Sequence, residues 1–360
     1  MRGAVAIHVC RGREWRGGER QVRLLVETLA WRSGFLQHVV TGRASALAAA
    51  LDPSGPPIHR VPWPLGYDPR AWLDLHHLIH RLTPTHGRDI VLHAHDSHAL
   101  GLALLAGRWH GLPVIATRRS VTPPGRLWRQ PARVIAISAA VEATLRAAGV
   151  AEARIVRIPS AISLTHLAHA AAVPSEPLLD VARPIILAAG ALTAEKGHRT
   201  LIEALPELNR LLPAPHLALI GEGPERGRLQ RLARRGKVAD RVHFLGERPS
   251  IAGYLHQVQV FAQPSHREAL GTAVLEAMAL GIPVVASETG GLVELLTGGA
   301  GLLVPPGNPL ALAEALGRVL TDALLRGAIV HEARARAFEY DAPRLADRVA
   351  EVYRSALRTP

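Results

Sequence analysis

The stretch Ser265-His-Arg-Glu268-Ala-Leu-Gly271-Thr272-Ala-Val-Leu-Glu276-Ala-Met-Ala-Leu-Gly281-Ile-Pro283-Val-Val285 decides how this chain is read. Two carboxylates, Glu268 and Glu276, stand eight residues apart with Gly271 between them. Thr272–Leu280 places Val274, Leu275, Met278 and Leu280 at helical spacing, and Gly281 and Pro283 stop the helix. Val284–Ala286 then reads as a buried strand. Glu268 is therefore expected in a loop just before the helix, and Glu276 within its first turns. A helix N-terminus carries free N–H groups and a partial positive charge, which suits a diphosphate. Neighbouring carboxylates accept hydrogen bonds from the hydroxyls of a sugar or a ribose. A nucleotide sugar offers all three groups on one molecule.

Glu-x7-Glu, followed by a small-residue helix and Gly-Ile-Pro-Val-Val-Ala-Ser287, resembles the signature of retaining glycosyltransferase family 4. The resemblance implies an α/β chain of GT-B fold: two Rossmann-like, doubly wound parallel-sheet domains facing across a cleft. It implies that Glu268 holds sugar hydroxyls, that Glu276 holds the ribose, and that the amides at Gly271 and Thr272 meet the leaving diphosphate.

Working back towards the N-terminus, Ile185–Ala189 reads as a first strand of a second domain. It ends in Gly190-Ala191-Leu192-Thr193-Ala194-Glu195-Lys196-Gly197. Lys196 is one of two lysines in a chain with 40 arginines, and a compact point charge suits a diphosphate that gains charge as the sugar departs. The segment is similar to the family's Gly-Arg-Leu-x-x-x-Lys-Gly, in which Arg and Lys clamp the diphosphate. Here Ala191 stands where Arg is usual. Gly221-Glu222-Gly223-Pro224 after the strand His216–Ile220, and Gly246-Glu247-Arg248 after Arg241–Leu245, also resemble the family; the latter loop would line the nucleobase pocket. Gly190, Gly246 and Arg248 are donor-site candidates on that basis.

The N-terminal half alternates strands and helices from Ala4–Val9 onward. Gly17-Gly18 lies between the first strand and the first helix, where glycine lets backbone N–H groups approach a ligand. The spacing does not fit the dinucleotide fingerprint, but Trp15-Arg-Gly17-Gly18-Glu-Arg-Gln21 resembles the family's first loop, which makes Gly17 and Gly18 site candidates. Asp89–Ala94 is a strand ending in His93-Ala-His95-Asp-Ser-His98. A metal is one reading of these histidines. The resemblance offers another, with His95 contacting the donor sugar. Arg118 and Arg119, at the end of the strand Pro113–Thr117, are candidates for an anionic acceptor group.

Charge separates the halves. Residues 1–170 hold 21 Arg against 10 acidic residues, a net of +11, whereas residues 171–360 hold 21 basic and 20 acidic residues. Such a field attracts phospholipid headgroups, phosphorylated glycans or nucleic acid. The single cysteine, Cys10, excludes an internal disulfide framework and a cysteine metal cluster. No apolar run approaches the ~18 residues of a membrane helix, and the N-terminal residues do not read as a secretory signal. The expected location is the cytoplasm, with peripheral contact to an anionic inner membrane face. No cofactor is implied, and without an Asp-x-Asp pair no metal is expected. The expected domains are 1–172 for the acceptor, a linker 173–184, 185–340 for the nucleotide-diphosphate sugar, and 341–360 returning to the first domain.

The resemblance implies a retaining, metal-independent glycosyltransferase acting on a glycan or lipid-linked, lipopolysaccharide-type anionic acceptor, with Lys196, Glu268 and His95 catalytic and no nucleic-acid partner. The alternatives are a GT-B relative with other chemistry, such as a sugar-nucleotide epimerase, a non-catalytic donor-binding member, and a basic nucleic-acid-binding protein.

Overall fold

The computed structural model describes residues 3–12, 15–32, 34–64, 68–172, 177–179, 184–211 and 215–358. The chain divides into two compact units, Met1–Ala161 with Asp341–Pro360, and Ile162–Tyr340. Of the expected linker, residues 173–176 and 180–183 lie outside the described residues.

In the first unit the order is β1 Val5–Val9, α1 Gly17–Arg32, β2 Leu36–Gly42, α2 Ala46–Ala50, β3 Ile58–Val61, α3 Pro69–His86, β4 Ile90–Ala94, α4 Ser97–His110, β5 Val114–Arg118, β6 Arg133–Ala136, α5 Ala139–Ala147 and β7 Ile155–Arg157. The second unit follows with α6 Leu164–Ala172, β8 Ile185–Ala189, α7 His198–Leu211, β9 His216–Ile220, α8 Arg226–Arg235, β10 Val242–Phe244, α9 Ala252–Leu255, β11 Val260–Gln263, α10 Thr272–Ala279, β12 Val284–Ser287, α11 Gly291–Leu296, β13 Leu302–Val304, α12 Pro309–Thr321 and α13 Ala323–Ala337. The last helix, α14 Ala342–Arg358, belongs to the first unit and packs on α1.

Both sheets are parallel, ordered β3-β2-β1-β4-β5-β6-β7 and β10-β9-β8-β11-β12-β13. Helices cover both faces of such sheets, so their central strands read as continuous apolar runs. β1, β4 and β8 are buried at every residue. In each sheet the strand order reverses once, between β1 and β4 and between β8 and β11. Ligands of open α/β sheets bind beyond the strand carboxyl ends at that reversal.

α14 is amphipathic. It buries Leu345, Ala346, Val349, Ala350, Val352, Tyr353 and Ala356, and Arg32 of α1 pairs with its Asp347 at 2.9 Å. In the second unit Leu316 of α12 packs with Leu201, Leu205, Leu217 and Ile186; truncating such a fully buried leucine to Ala costs about 2–5 kcal/mol.

Two features depart from the sequence reading. α6, assigned to the first domain, groups with the second unit because it packs on α9 and α10. α13 was not among the elements read from the sequence. It starts where the Asp322 side chain accepts from Leu325 N at 2.9 Å and packs on α10. Among the described residues, no helix is long and apolar enough to cross a membrane.

Candidate active site

In the second unit the loops after β8 and β11 meet at the reversal of strand order. Lys196 Nζ donates to Glu268 Oε2 at 2.6 Å, with side chains 28 % and 11 % exposed. The same Oε2 accepts from Ser265 Oγ at 3.2 Å and from Gln263 Nε2 at 3.4 Å, and Gln263 Nε2 also reaches Ser265 Oγ at 2.8 Å. Gln263 ends β11, and both Gln263 and Ser265 are buried. The carboxylate is therefore anchored through one oxygen by donors from a rigid strand end.

Backbone contacts stitch the two loops together. His266 N donates to Glu195 O at 2.7 Å, and Arg267 forms an ion pair with Glu195. Gly197, at φ +66°, lies so close that a Cβ there would stand 1.9 Å from the Pro264 carbonyl oxygen. Gly290, at φ +52°, approaches the Glu268 carbonyl as closely, with 1.8 Å for a Cβ, and Gly291 N donates to that carbonyl at 3.2 Å. Only glycine fits these positions.

α10 begins at Thr272, after Gly271 at its N-cap, and Glu276 lies in its second turn, half-buried. Gly190 N donates to Ile220 O and Gly221 N to Gly246 O, at 2.9 and 2.8 Å, so the ends of β8, β9 and β10 converge beside Lys196. Arg248 is exposed and donates to its neighbour's carbonyl, Glu247 O, at 3.2 Å. Ala191 is exposed on the same loop as Lys196. Arg226, which opens α8 just after the adjoining Gly-Glu-Gly-Pro turn, pairs with Glu222 and lies over the Phe244 ring.

In the first unit the loops after β1 and β4 meet at the other reversal. Asp96 caps α4 through His98 N and Ala99 N, at 2.9 and 2.8 Å, and also accepts from Arg11 N at 2.8 Å. Gly17 and Gly18 open α1; among the described residues, no atom lies within 4 Å of where a Cβ would stand at either. His95 is buried, and its Nδ1 lies 3.5 Å from both Nη1 and Nη2 of Arg119. Burial, His93 and Arg119 all push the His95 pKa well below its ordinary value, so the ring is neutral at pH 7. Burial also raises the Glu19 carboxyl at the start of α1 and lowers the Arg119 guanidinium, against which Cys10, Glu19 and Asp96 pull upward.

The side chains of Arg118 and Arg119 point apart. Consecutive residues of a strand point to opposite faces. Arg118 turns inward, 5.0 Å over the Trp128 ring, and donates to Thr122 O and Thr122 Oγ1 at 2.6 and 2.9 Å. Arg119 turns to His95 and donates to its carbonyl at 3.4 Å. Of the two, only Arg119 stands beside another expected site residue.

Known proteins resemble this chain in sequence and in fold. The family profile described as glycosyl transferases group 1 matches residues 173–336, and the profile described as Glycosyltransferase Family 4 matches residues 15–166. The chain is 30 % identical over 353 residues to the glycogen synthase of Mycobacterium tuberculosis, covering 89 % of this chain and 82 % of that protein. The chain belongs to glycosyltransferase family 4.

This family 4 chain is also 35 % identical over 144 residues to the lipopolysaccharide core biosynthesis glycosyltransferase LpsE of Rhizobium meliloti, covering 40 % of this chain and 41 % of the relative. Its structure is similar to that of Anabaena HepE in complex with UDP and glucose, with a TM-score of 0.83 at 21 % identity over 98 % of this chain and 100 % of that one. The fold is GT-B, and the protein is a glycosyltransferase of a retaining family that draws its sugar from a nucleotide-sugar donor.

Five polar residues of this family 4 structure escaped the sequence reading. Gln263 and Ser265 hold Glu268, and their signal was present as polar residues closing an apolar strand. His8 and Gln37 are buried on β1 and β2, where a polar residue inside an apolar run was the clue. His198, at the start of α7, is buried beside Lys196, and burial lowers its pKa to about 4.

Proposed function

We propose that this enzyme moves a sugar from a nucleoside diphosphate to an anionic glycan or lipid-linked acceptor of lipopolysaccharide type, with retention of configuration. The observation that carries the reading is the Lys196–Glu268 pair at the strand-order reversal of the second unit, 2.6 Å from Nζ to Oε2. An ammonium has three N–H donors. One engages Glu268, and two remain for oxygens of the donor diphosphate. Glu268 Oε1 is assigned to hydroxyls of the sugar, Glu276 to the ribose, and the α10 amides at Gly271 and Thr272 to the departing phosphate. Gly190, Gly246 and Arg248 line the nucleotide, His95 meets the sugar, and Gly17 and Gly18 open their backbone to donor and acceptor.

In the reaction the bond from the anomeric carbon to the phosphate oxygen breaks, and its electron pair leaves with the diphosphate. The acceptor hydroxyl oxygen bonds to the same face of that carbon. Its proton passes to the leaving phosphate oxygen. Lys196 and the helix amides stabilise charge that exists fully only after bond cleavage, which is where fixed donors lower a barrier most.

The acceptor class rests on charge. The first unit, with α14, contains 25 Arg against 13 acidic residues, a net of +12, and the second contains 17 basic and 17 acidic residues. A field of that sign draws phosphorylated glycans and anionic lipid surfaces, and the name of the LpsE relative points the same way. On this reading the enzyme works at the cytoplasmic face of an anionic membrane. A second reading, a neutral glucan acceptor, rests on the likeness to a glycogen synthase over 89 % of the chain. Transfer assays with lipopolysaccharide core, anionic glycolipid and glycogen at low and high salt separate the two. The proposal expects transfer to the anionic acceptors, weakening as salt rises. Transfer to glycogen alone, indifferent to salt, would overturn it.

A further inference from the structure

A buried polar row crosses four adjacent strands of the first sheet. In the parallel register Ala6 lies opposite Gln37, His8 opposite His93, and His93 opposite Ile115. Residues two apart on a strand share a face, so Gln37, His8, His93, His95 and Thr117 share one. All five are buried.

The direction of each hydrogen bond follows from a fixed end. The Phe35 carbonyl only accepts, so Gln37 Nε2 donates to it at 2.9 Å. That leaves Gln37 Oε1, also only an acceptor, facing His8 Nε2 at 2.7 Å. His8 therefore carries its proton on Nε2, and its Nδ1 presents a lone pair. That lone pair faces His95 Nε2 at 2.9 Å, so His95 is protonated on Nε2 and its Nδ1 is an acceptor. The rings have centroids 5.2 Å apart and planes within 10°, the edge-to-edge placement that an N–H···N bond needs.

The other end of the row agrees. Arg119 has only donors, and both its terminal nitrogens approach His95 Nδ1, at 3.5 Å. Burial holds His8 at about 4 and depresses His95, so both rings are neutral near pH 7, which a single-tautomer chain requires. His93 differs. Its partners, Tyr353 OH at 2.6 Å and Thr117 Oγ1 at 2.7 Å, are hydroxyls that either donate or accept, so nothing dictates its tautomer. His8, His93 and His95 bring nitrogens within 4.8 Å of one another. A cation among them would have to break these bonds and sit beside the Arg119 guanidinium.

The geometry points to Gln37 and His8 as positioning residues: a relay from the Phe35 carbonyl that fixes His95 as its Nε2–H tautomer and so presents Nδ1 as a hydrogen-bond acceptor to a hydroxyl of the donor sugar. The sugar contact rests on the role assigned to His95 above; the relay does not. The Arg119 contacts are long for hydrogen bonds, so Nδ1 keeps its capacity for a hydroxyl. Without the relay, only the long 3.5 Å approach of Arg119 still favours the Nε2–H form, and the Nδ1–H form, which turns an N–H towards that hydroxyl, gains population.

The test is ¹⁵N spectroscopy of the histidine rings in the full chain, in which protonated and bare ring nitrogens have well-separated shifts. The wild type is expected to show His95 with Nε2 protonated and Nδ1 bare, and His8 likewise. His8→Leu and Gln37→Leu should mix or invert the His95 tautomer, whereas His8→Asn, whose side-chain oxygen still accepts from Nε2, should keep it. With UDP-glucose, ADP-glucose and GDP-mannose as donor probes, the two Leu variants should lose about tenfold in kcat/KM, and His8→Asn should recover most of it. A protonated Nδ1 in the wild type, or a tautomer unmoved by either Leu variant, would overturn the relay. If one of these variants fails to fold, the wild-type spectrum and the other variants still decide. A tautomer that moves while transfer does not would overturn the sugar contact instead.

Discussion

Lys196 and Glu268 are separated by 72 positions in the chain, yet Nζ and Oε2 stand 2.6 Å apart. Strand order brings them together: β8 and β11 are neighbours in the sheet, and each residue lies just past the carboxyl end of its strand. Ser265 and Gln263 hold the carboxylate from the strand side, and the Glu195 carbonyl receives the next loop's amide.

Removing the ammonium should therefore damage catalysis far more than folding. In Lys196→Ala, Glu268 keeps Ser265 and Gln263 as donors. The expected result is a fall of about 10²–10³ in kcat with an unfolding midpoint close to wild type. Steady-state kinetics and thermal unfolding on the same preparations check both halves of the statement.

Glycine at position 197 couples the two loops sterically. Gly197→Ala places a methyl 1.9 Å from the Pro264 carbonyl at a φ of +66°, so the Glu268 loop must move. The cost should exceed about 1 kcal/mol, with transfer falling alongside. Gly327→Ala in α13, where no neighbour among the described residues lies within 4 Å of the added Cβ, is the control and should be at least as stable as wild type.

Buried neutral histidines give the protein an acid weakness. His8 titrates at about 4 in the folded chain against 6.5 ordinarily. Below pH 6.5 the unfolded state binds a proton that the folded state refuses, so stability falls as pH drops from 6.5 towards 4. At pH 5 this one residue should account for a loss of about 2 kcal/mol; His93, His95 and His198 act in the same direction. Urea unfolding at pH 7.5 and pH 5 measures the drop, and His8→Asn should make it shallower.

Ala191 is exposed on the same loop as Lys196, at the position where the family resemblance expects Arg. Ala191→Arg restores a planar fork of donors suited to a phosphate. Donor affinity should rise about tenfold, the effect of one charge-assisted hydrogen bond. Calorimetric titration with nucleoside diphosphates checks it.

What was legible in the sequence was local. Glu268, Gly271 and Glu276 lie within one loop and one helix, and periodicity with the Gly281 and Pro283 stops was enough to place them. Parallel pairing was not legible. His8, Gln37 and His95 meet only because β2, β1 and β4 are neighbours in a given register, and no local pattern states that register. Arg118 and Arg119 show the opposite limit: adjacent in sequence, they diverge in space because a strand end sends successive side chains to opposite faces. The extra helix α13 was missed because its apolar residues, Leu324, Leu325, Ile329 and Val330, are broken up by Arg, Gly and His and carry little helical stripe.

The most direct measurement is the unfolding temperature of the wild type and of Lys196→Ala against UDP-, GDP- and ADP-sugars. A donor at 100 times its Kd adds about 2.7 kcal/mol to the folded state. The account predicts that one nucleotide family raises the wild-type midpoint and that Lys196→Ala loses most of that rise. A rise undiminished in Lys196→Ala, or none with any of the three, would contradict the assignment of the Lys196–Glu268 pair to the donor diphosphate sugar.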